Sequence, residues 1–216
     1  MATPVLWLFA GPNGAGKSTF TQYPEFARHI RHFLNADELT RQLLLAQGYA
    51  SFLDAPAETL RQTNLDAAEK VFAQVNALLA QGEPVSVETV LSTDKYRPVV
   101  EKLRRDGGEF NLIYIGLRSP ELSRARVARR VTRGGHPVPS EKLPVRWRRS
   151  LDNLPWFASQ STRFLIYDNS DSDPSRPPPL IARAGSTPGT LRLLNREANP
   201  AVVETLLGSR LFQIEN

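Results

Sequence analysis

Residues 11–18 read Gly-Pro-Asn-Gly-Ala-Gly-Lys-Ser, which satisfies the pattern G-x-x-x-x-G-K-[ST] in full. The apolar run Val5-Leu6-Trp7-Leu8-Phe9-Ala10 stands directly before it. A helix-compatible stretch from Ser18 to Ala27, interrupted by Pro24, follows it. A strand that turns through glycines into a helix N-terminus aims several backbone N–H groups at one point, where the helix dipole also favours negative charge. Lys17 then reaches the β- and γ-phosphates, and the Ser18 hydroxyl can ligate Mg²⁺. The nucleotide-holding segment therefore runs Gly11, Pro12, Asn13, Gly14, Ala15, Gly16, Lys17, Ser18, Thr19.

The rest of the chain repeats the alternation of strand and helix. Short strands are expected at 32–36, 84–89, 110–117 and 164–167, with helices at about 38–47, 55–81, 96–105, 120–132 and 140–154. Asp37 can cap the helix that begins at 38, and Ser119-Pro120-Glu121 is a good start for the helix at 120. The run 171–179 holds four prolines and reads as a loop. Residues 180–183 and 190–194 suit an edge hairpin, and 200–211 a closing helix. Alternating strands and helices predict an α/β fold, a three-layer P-loop sandwich with a mostly parallel sheet and helices on both faces. The 216 residues suit one α/β domain, 1–216, with a lid at about 118–154.

Charge is distributed unevenly. The net charge is +5. Between Arg118 and Arg149 ten basic residues face only Glu121 and Glu141. A basic cluster on a predicted lid points to a localised anionic partner. There is no cysteine, which excludes disulfides, thiolate metal sites and thiol nucleophiles. No apolar run approaches the length of a membrane span, and no basic segment precedes the first apolar run. With the nucleotide motif, these features point to a cytoplasmic protein that does not engage a membrane.

In doubly wound sheets, ligands bind beyond the carboxyl ends of the strands. Asp37 follows the second strand and can face the γ-phosphate as the base that accepts an alcohol proton. It can equally be no more than a helix cap. Glu88 and Thr89 end the next strand at the same rim, where they can hold acceptor hydroxyls or orient Mg²⁺-bound water. On the lid, Arg126 and Arg130 share one helix face, as do Arg129 and Arg133. Arginines in a water-poor site stabilise charge developing on a transferring phosphoryl group. His136, with no second His or Cys nearby, does not suggest a transition-metal site.

Several blocks together are more specific than the phosphate loop. They are 10–19, Asn35-Ala36-Asp37, Glu88-Thr89-Val90-Leu91-Ser92, the lid Arg130-Val131-Thr132-Arg133-Gly134-Gly135-His136-Pro137-Val138-Pro139, the segment 146–154, and Tyr167-Asp168-Asn169-Ser170. In that order and over about residues 4 to 170, the chain resembles the zeta-toxin family of P-loop kinases, particularly its compact stand-alone bacterial members. The resemblance implies an ATP- and Mg²⁺-dependent kinase acting on a hydroxyl of a UDP-N-acetylamino sugar. It implies Lys17 and Ser18 on phosphates and Mg²⁺, Asp37 as general base, and Glu88 on the acceptor. Arg130, with Arg126 or Arg133, would clamp phosphate, and Arg146 and Arg149 would contact the acceptor. It also implies a protein antitoxin that blocks the ATP site, although a stand-alone member can lack one.

The chain departs from the family at three positions. Val90 stands where many relatives have threonine, Trp147 where tyrosine is usual, and Pro144 where a basic residue is common. A chain this short also lacks part of the segments that build the sugar-nucleotide pocket in larger members. The kinase chemistry carries over these differences, whereas the acceptor's identity does not follow from them. The alternatives are a P-loop kinase for another metabolite, or a nucleotide-dependent switch whose basic lid docks nucleic acid or a protein. The second is disfavoured by the absence of an aromatic stacking platform.

Overall fold

A computed structural model of the chain describes residues 3–21, 23, 30, 32–171 and 178–215. The strands are β1 (Val5–Ala10), β2 (Phe33–Leu34), β3 (Val85–Thr89), β4 (Glu109–Gly116), β5 (Arg163–Asp168), β6 (Leu180–Ala184), β7 (Thr190–Leu193) and β8 (Gln213–Glu215). They form one eight-stranded sheet in the order β2-β3-β1-β4-β5-β6-β7-β8. The first five in that order pair in parallel, β5, β6 and β7 pair antiparallel, and β7 pairs β8 in parallel.

The helices are α1 (Lys17–Phe20), α2 (Ala36–Ala46), α3 (Ala57–Ala80), α4 (Arg97–Arg105), α5 (Pro120–Val131), α6 (Lys142–Gln160) and α7 (Pro200–Gly208). The central strands are apolar on both sides, so their alternate residues enter two separate cores. Leu6, Leu8 and Ala10 of β1, with Phe110, Leu112 and Tyr114 of β4, pack with residues of α3, α4, α6 and α7. Phe9 of β1, with Ile113 and Ile115 of β4, packs instead with Ala15, Phe20 of α1 and Leu122 of α5. The sheet is therefore covered on both faces. Parallel pairing brings the ends of β1, β2, β3, β4 and β5 to one rim, where the phosphate loop and Asp37 follow strands and Glu88 and Thr89 close one.

Three sequence expectations are corrected, and one lies partly outside the described residues. The second helix begins at Ala36, not 38, and its cap is Asn35, whose Oδ1 accepts from the N–H groups of Asp37 (2.8 Å) and Glu38 (3.3 Å). Asp37 lies inside the first turn, where a carboxylate still complements the helix dipole. The helix expected to stop at 154 continues through Pro155 to Gln160. An internal proline costs a helix about 3 kcal/mol. Complete burial of Leu154, Phe157 and Ala158 offsets that, at roughly 1.5–3 kcal/mol for each large side chain. The closing helix ends at Gly208, and the residues beyond it supply β8, which sequence patterning does not signal. The helix expected over 18–27 is described as far as Phe20, and its continuation through 24–29 lies outside the described residues. Among the described residues no helix is long and apolar enough to cross a membrane.

Candidate active site

The phosphate loop joins β1 to α1 at the sheet rim. Gly16 sits at the helix start with φ 84°, a left-handed conformation that suits glycine. A Cβ there would lie 2.6 Å from the Asn169 amide nitrogen. That approach is used, because Asn169 Nδ2 donates to the Ala15 carbonyl at 2.8 Å. On the opposite side the Ser123 hydroxyl donates to the Asn13 carbonyl at 2.6 Å. The loop is thus held from α5 and from the segment after β5.

Lys17 is almost fully buried, 6% exposed. Its Nζ donates to the carbonyls of Gly11 (3.0 Å) and Pro12 (3.1 Å) and lies 3.8 Å from Glu88 Oε1. Burial lowers its pKa from the usual lysine value, while Glu88 and Asp37 oppose that shift. The Ser18 hydroxyl donates to Glu88 Oε2 at 2.7 Å, and Asn35 Nδ2 donates to the same oxygen at 2.9 Å. Ser18 and Glu88 therefore present two hard oxygen donors side by side next to a buried ammonium, a donor set suited to Mg²⁺ held together with phosphate.

Two cavities open on this rim. One, of about 630 Å³, is lined by the phosphate loop and α1 (Gly14, Gly16, Lys17, Ser18), by Glu88, and by lid arginines 126, 129, 130 and 133. The other, of about 500 Å³, is lined by Asp37, Glu38, Arg41, Phe52 and His136 among others. Ser18 and Arg130 belong to the walls of both. Arg130 donates through Nη2 to the His136 carbonyl at 2.6 Å, while its Nε is buried without a hydrogen-bond partner. Because Arg130 lines both cavities, its guanidinium is placed to meet a phosphoryl oxygen there. Its pose depends on Gly135, where a Cβ would lie 2.4 Å from Arg130 Cγ.

The other predicted residues divide. Arg126 lines the first cavity, but its guanidinium donates to the carbonyls of Asn169 (2.6 Å) and Asp171 (3.0 Å), tying the loop after β5 to the lid. Arg133 lines that cavity, as does Thr19. Thr89 turns its hydroxyl to the Leu91 N–H at 3.2 Å and lines neither cavity. Arg146 acts electrostatically on His136 but also lines neither. Arg149 is not brought to this site. It lines a third hollow with Ser92, Asp94, Arg97 and Asp152.

Four contributors escape sequence reading. Asn35 joins Glu88 to the cap of α2. Asn64 of α3 meets His136 Nε2 at 2.9 Å, and Phe52 packs edge-on to the His136 ring. Asn153 Nδ2 donates to the Leu91 carbonyl at 2.9 Å while its Oδ1 accepts from Arg97. Leu91 has φ 60°, an uncommon conformation for a leucine, so Asn153 secures a strained turn just beyond Glu88. For Asn35 and Asn153 a signal exists, since both fall within the sequence blocks that carry the resemblance.

This fold and rim define a P-loop nucleotide-binding protein of kinase type. The AAA domain family model matches residues 6–152, and the chain belongs to that family. An uncharacterised protein of Haemophilus influenzae is 24% identical over 139 residues, which cover 64% of this chain and 89% of that protein. Among solved structures, a chain of the PezAT chromosomal toxin–antitoxin system of Streptococcus pneumoniae matches with TM-score 0.53 and 22% identity, over 78% of this chain and 69% of that one. The AvrRxo1-ORF1:-ORF2 complex with ATP contains a chain matching with TM-score 0.72 and 13% identity, over 94% of this chain. This chain spans 64% of the length of that one. These likenesses establish a shared fold, the mostly parallel P-loop kinase-type fold expected from the sequence.

Proposed function

We propose that this chain, read as one kinase domain over 1–216 with its lid at about 118–154, transfers the γ-phosphoryl group of ATP to a hydroxyl of a small acceptor. The observation that carries the reading is the pair of cavities meeting at Ser18 and Arg130, one lined by the phosphate loop and the other by Asp37. Phosphoryl transfer needs a donor site and an acceptor site that share a wall of positive charge and end on a base. A single nucleotide switch needs only the first.

In this reading Lys17 leaves its resting contacts with the Gly11 and Pro12 carbonyls and donates to the phosphates. The Ser18 hydroxyl and Glu88 hold Mg²⁺, which when bound neutralises charge on the transferring group. Arg130 meets the phosphoryl oxygens from the wall shared by the two cavities, with Arg133 and Arg129 lining the first. Asp37 accepts the hydroxyl proton as the acceptor oxygen bonds to phosphorus and the bond to the leaving nucleotide breaks. Arg126 acts through the loop after β5, not as a free clamp.

The acceptor we propose is a UDP-N-acetylamino sugar, which rests on the resemblance of the lid and strand-end blocks. The PezAT and AvrRxo1 assemblies each pair two components, and one of them was determined with ATP. On that likeness we propose ATP as the nucleotide and an antitoxin-type protein as a partner covering the nucleotide cavity. The clustering of the lid arginines on the phosphate-loop cavity favours this over nucleic-acid docking. The test is an acceptor screen with Mg²⁺ and γ-labelled ATP against a panel of UDP-sugars, with Lys17→Ala as the blank. Label on a UDP-N-acetylamino sugar supports the reading. Nucleotide turnover without transfer to any UDP-sugar removes that acceptor and redirects the search to other metabolites.

A further inference from the structure

The mechanism above leaves His136 unused, although its ring is only 12% exposed and lines the acceptor cavity. Three elements converge on it. From α3, Asn64 Oδ1 lies 2.9 Å from Nε2 and also accepts from the Thr40 hydroxyl at 3.1 Å. From the turn before α3, Phe52 packs edge-on, with ring centroids 4.9 Å apart. From α2, Asp37 Oδ1 lies 3.5 Å from Nδ1, and Nδ1 is buried with no hydrogen bond.

With the Asn64 amide oxygen toward the ring, the single proton of a neutral imidazole is fixed on Nε2. Nδ1 is then a lone-pair acceptor facing a second acceptor, the Asp37 carboxylate. Two acceptors at that separation repel each other unless a donor lies between or beside them. A second ring proton would resolve the conflict, but the surroundings disfavour it. Burial lowers the His136 pKa from its ordinary value, and Arg130 and Arg146 add to that effect, with only Asp37 opposing. Nδ1 is therefore left as an acceptor without a donor, on a residue that lines the acceptor cavity.

We propose that His136 is an acceptor-positioning residue whose unprotonated Nδ1 takes a hydrogen bond from a second donor, an O–H or N–H, adjacent to the hydroxyl held by Asp37. The substrate class this selects carries two neighbouring donors on one rigid ring: vicinal hydroxyls, or a hydroxyl beside an amide N–H. A lone primary alcohol satisfies Asp37 and leaves Nδ1 orphaned. A site built to receive a donor discriminates against analogues that lack it, because the buried acceptor is then left unpaired. The inference rests on Asp37 being the acceptor base.

The test has two arms on the full chain. In the first, histidine-selective nitrogen NMR at neutral pH, with the His136 signals assigned by their loss in His136→Gln, reads the tautomer directly. A neutral ring protonated at Nε2 is expected. A ring protonated at Nδ1, or an imidazolium, overturns the proposal. The second arm measures transfer to UDP-N-acetylglucosamine by wild type, His136→Gln and His136→Asn. The asparagine side chain can offer an oxygen near the Nδ1 position, whereas glutamine extends toward the Nε2 position. His136→Gln is expected to raise the acceptor KM about tenfold with kcat nearly unchanged, and His136→Asn to recover most of that loss. Equal KM values for wild type and His136→Gln overturn the proposal, as does a uniform fall in kcat in both variants. If wild type transfers to no UDP-sugar, the acceptor reading fails separately, and the tautomer alone decides the role of His136.

Discussion

The Ser18 hydroxyl donates to Glu88 Oε2 across 2.7 Å, although the two residues are 70 positions apart in sequence. The bond exists because β1 and β3 are parallel neighbours in register, with Phe9 opposite Glu88. It aligns the first turn of α1 with the end of β3. Asn35 donates to the same carboxylate oxygen, so β2 is drawn into the same corner. One carboxylate thereby organises three strand ends.

Glu88→Gln is the first variant this corner suggests. It preserves shape and one acceptor but removes the charge that faces Lys17 and a bound cation. Mg²⁺ affinity is expected to fall about 10- to 100-fold, as for groups that orient a metal site. Nucleotide turnover measured across a Mg²⁺ titration checks this. A wild-type Mg²⁺ dependence removes Glu88 from the cation site.

Asp37→Asn is expected to leave nucleotide affinity near wild type and to reduce transfer by about 10²- to 10⁴-fold, the usual contribution of a positioned general base. The helix should persist, since its cap is Asn35 and the Asp37 N–H stays in place. Binding of a fluorescent nucleotide and transfer of label are the two readouts. Transfer at the wild-type rate would reject Asp37 as the base.

How far this corner was readable follows from its construction. The phosphate loop and Asp37 follow strands and Glu88 lies at the end of one, and a parallel sheet sends such residues to one rim without help from side-chain detail. Asn35 and Asp37 both suit a helix cap, and the choice between them turns on the Asn35 amide also reaching Glu88, which is a tertiary fact. Asn64 lies in the middle of a 24-residue helix whose pattern does not mark the face that reaches the lid. Arg146 and Arg149 are three positions apart on α6, yet only Arg146 acts on His136 while Arg149 joins Arg97 in a separate hollow. What separates them is which neighbouring elements pack beside each position, a tertiary fact that a motif match does not show.

Gly135→Ala tests the lid. The added Cβ would lie 2.4 Å from Arg130 Cγ, and the Arg130 side chain would have to leave the wall shared by the two cavities. Transfer is expected to fall at least about 10-fold, with a stability loss of about 1–3 kcal/mol from crowding. Thermal unfolding and label transfer separate the two effects. Unchanged transfer would mean that Arg130 does not need this pose.

Asn153→Ala removes one side chain that serves two partners, the Leu91 carbonyl and Arg97. A buried group left unsatisfied costs about 1–3 kcal/mol, and the strained Leu91 turn loses its anchor. A lower Tm is expected, together with weaker activity, because Glu88 lies three residues before the released turn. If the variant loses stability but keeps full turnover, the turn does not position Glu88.

The His136 ring makes a pH-dependent contribution whose sign follows from its surroundings. Burial holds its folded-state pKa below the ordinary value of 6.5, so near that pH and below it the unfolded chain binds the proton more readily. The contribution is fully present above 6.5 and is lost as pH falls toward the lowered folded value. Glutamine at 136 can still donate toward Asn64 but takes up no proton. On acidification from about pH 8 to about pH 5.5, wild type is therefore expected to lose more Tm than His136→Gln does. Parallel Tm profiles for the two proteins would show that the ring keeps its ordinary affinity for a proton. Asp37 would then face an imidazolium at mildly acidic pH, 3.5 Å from its Oδ1.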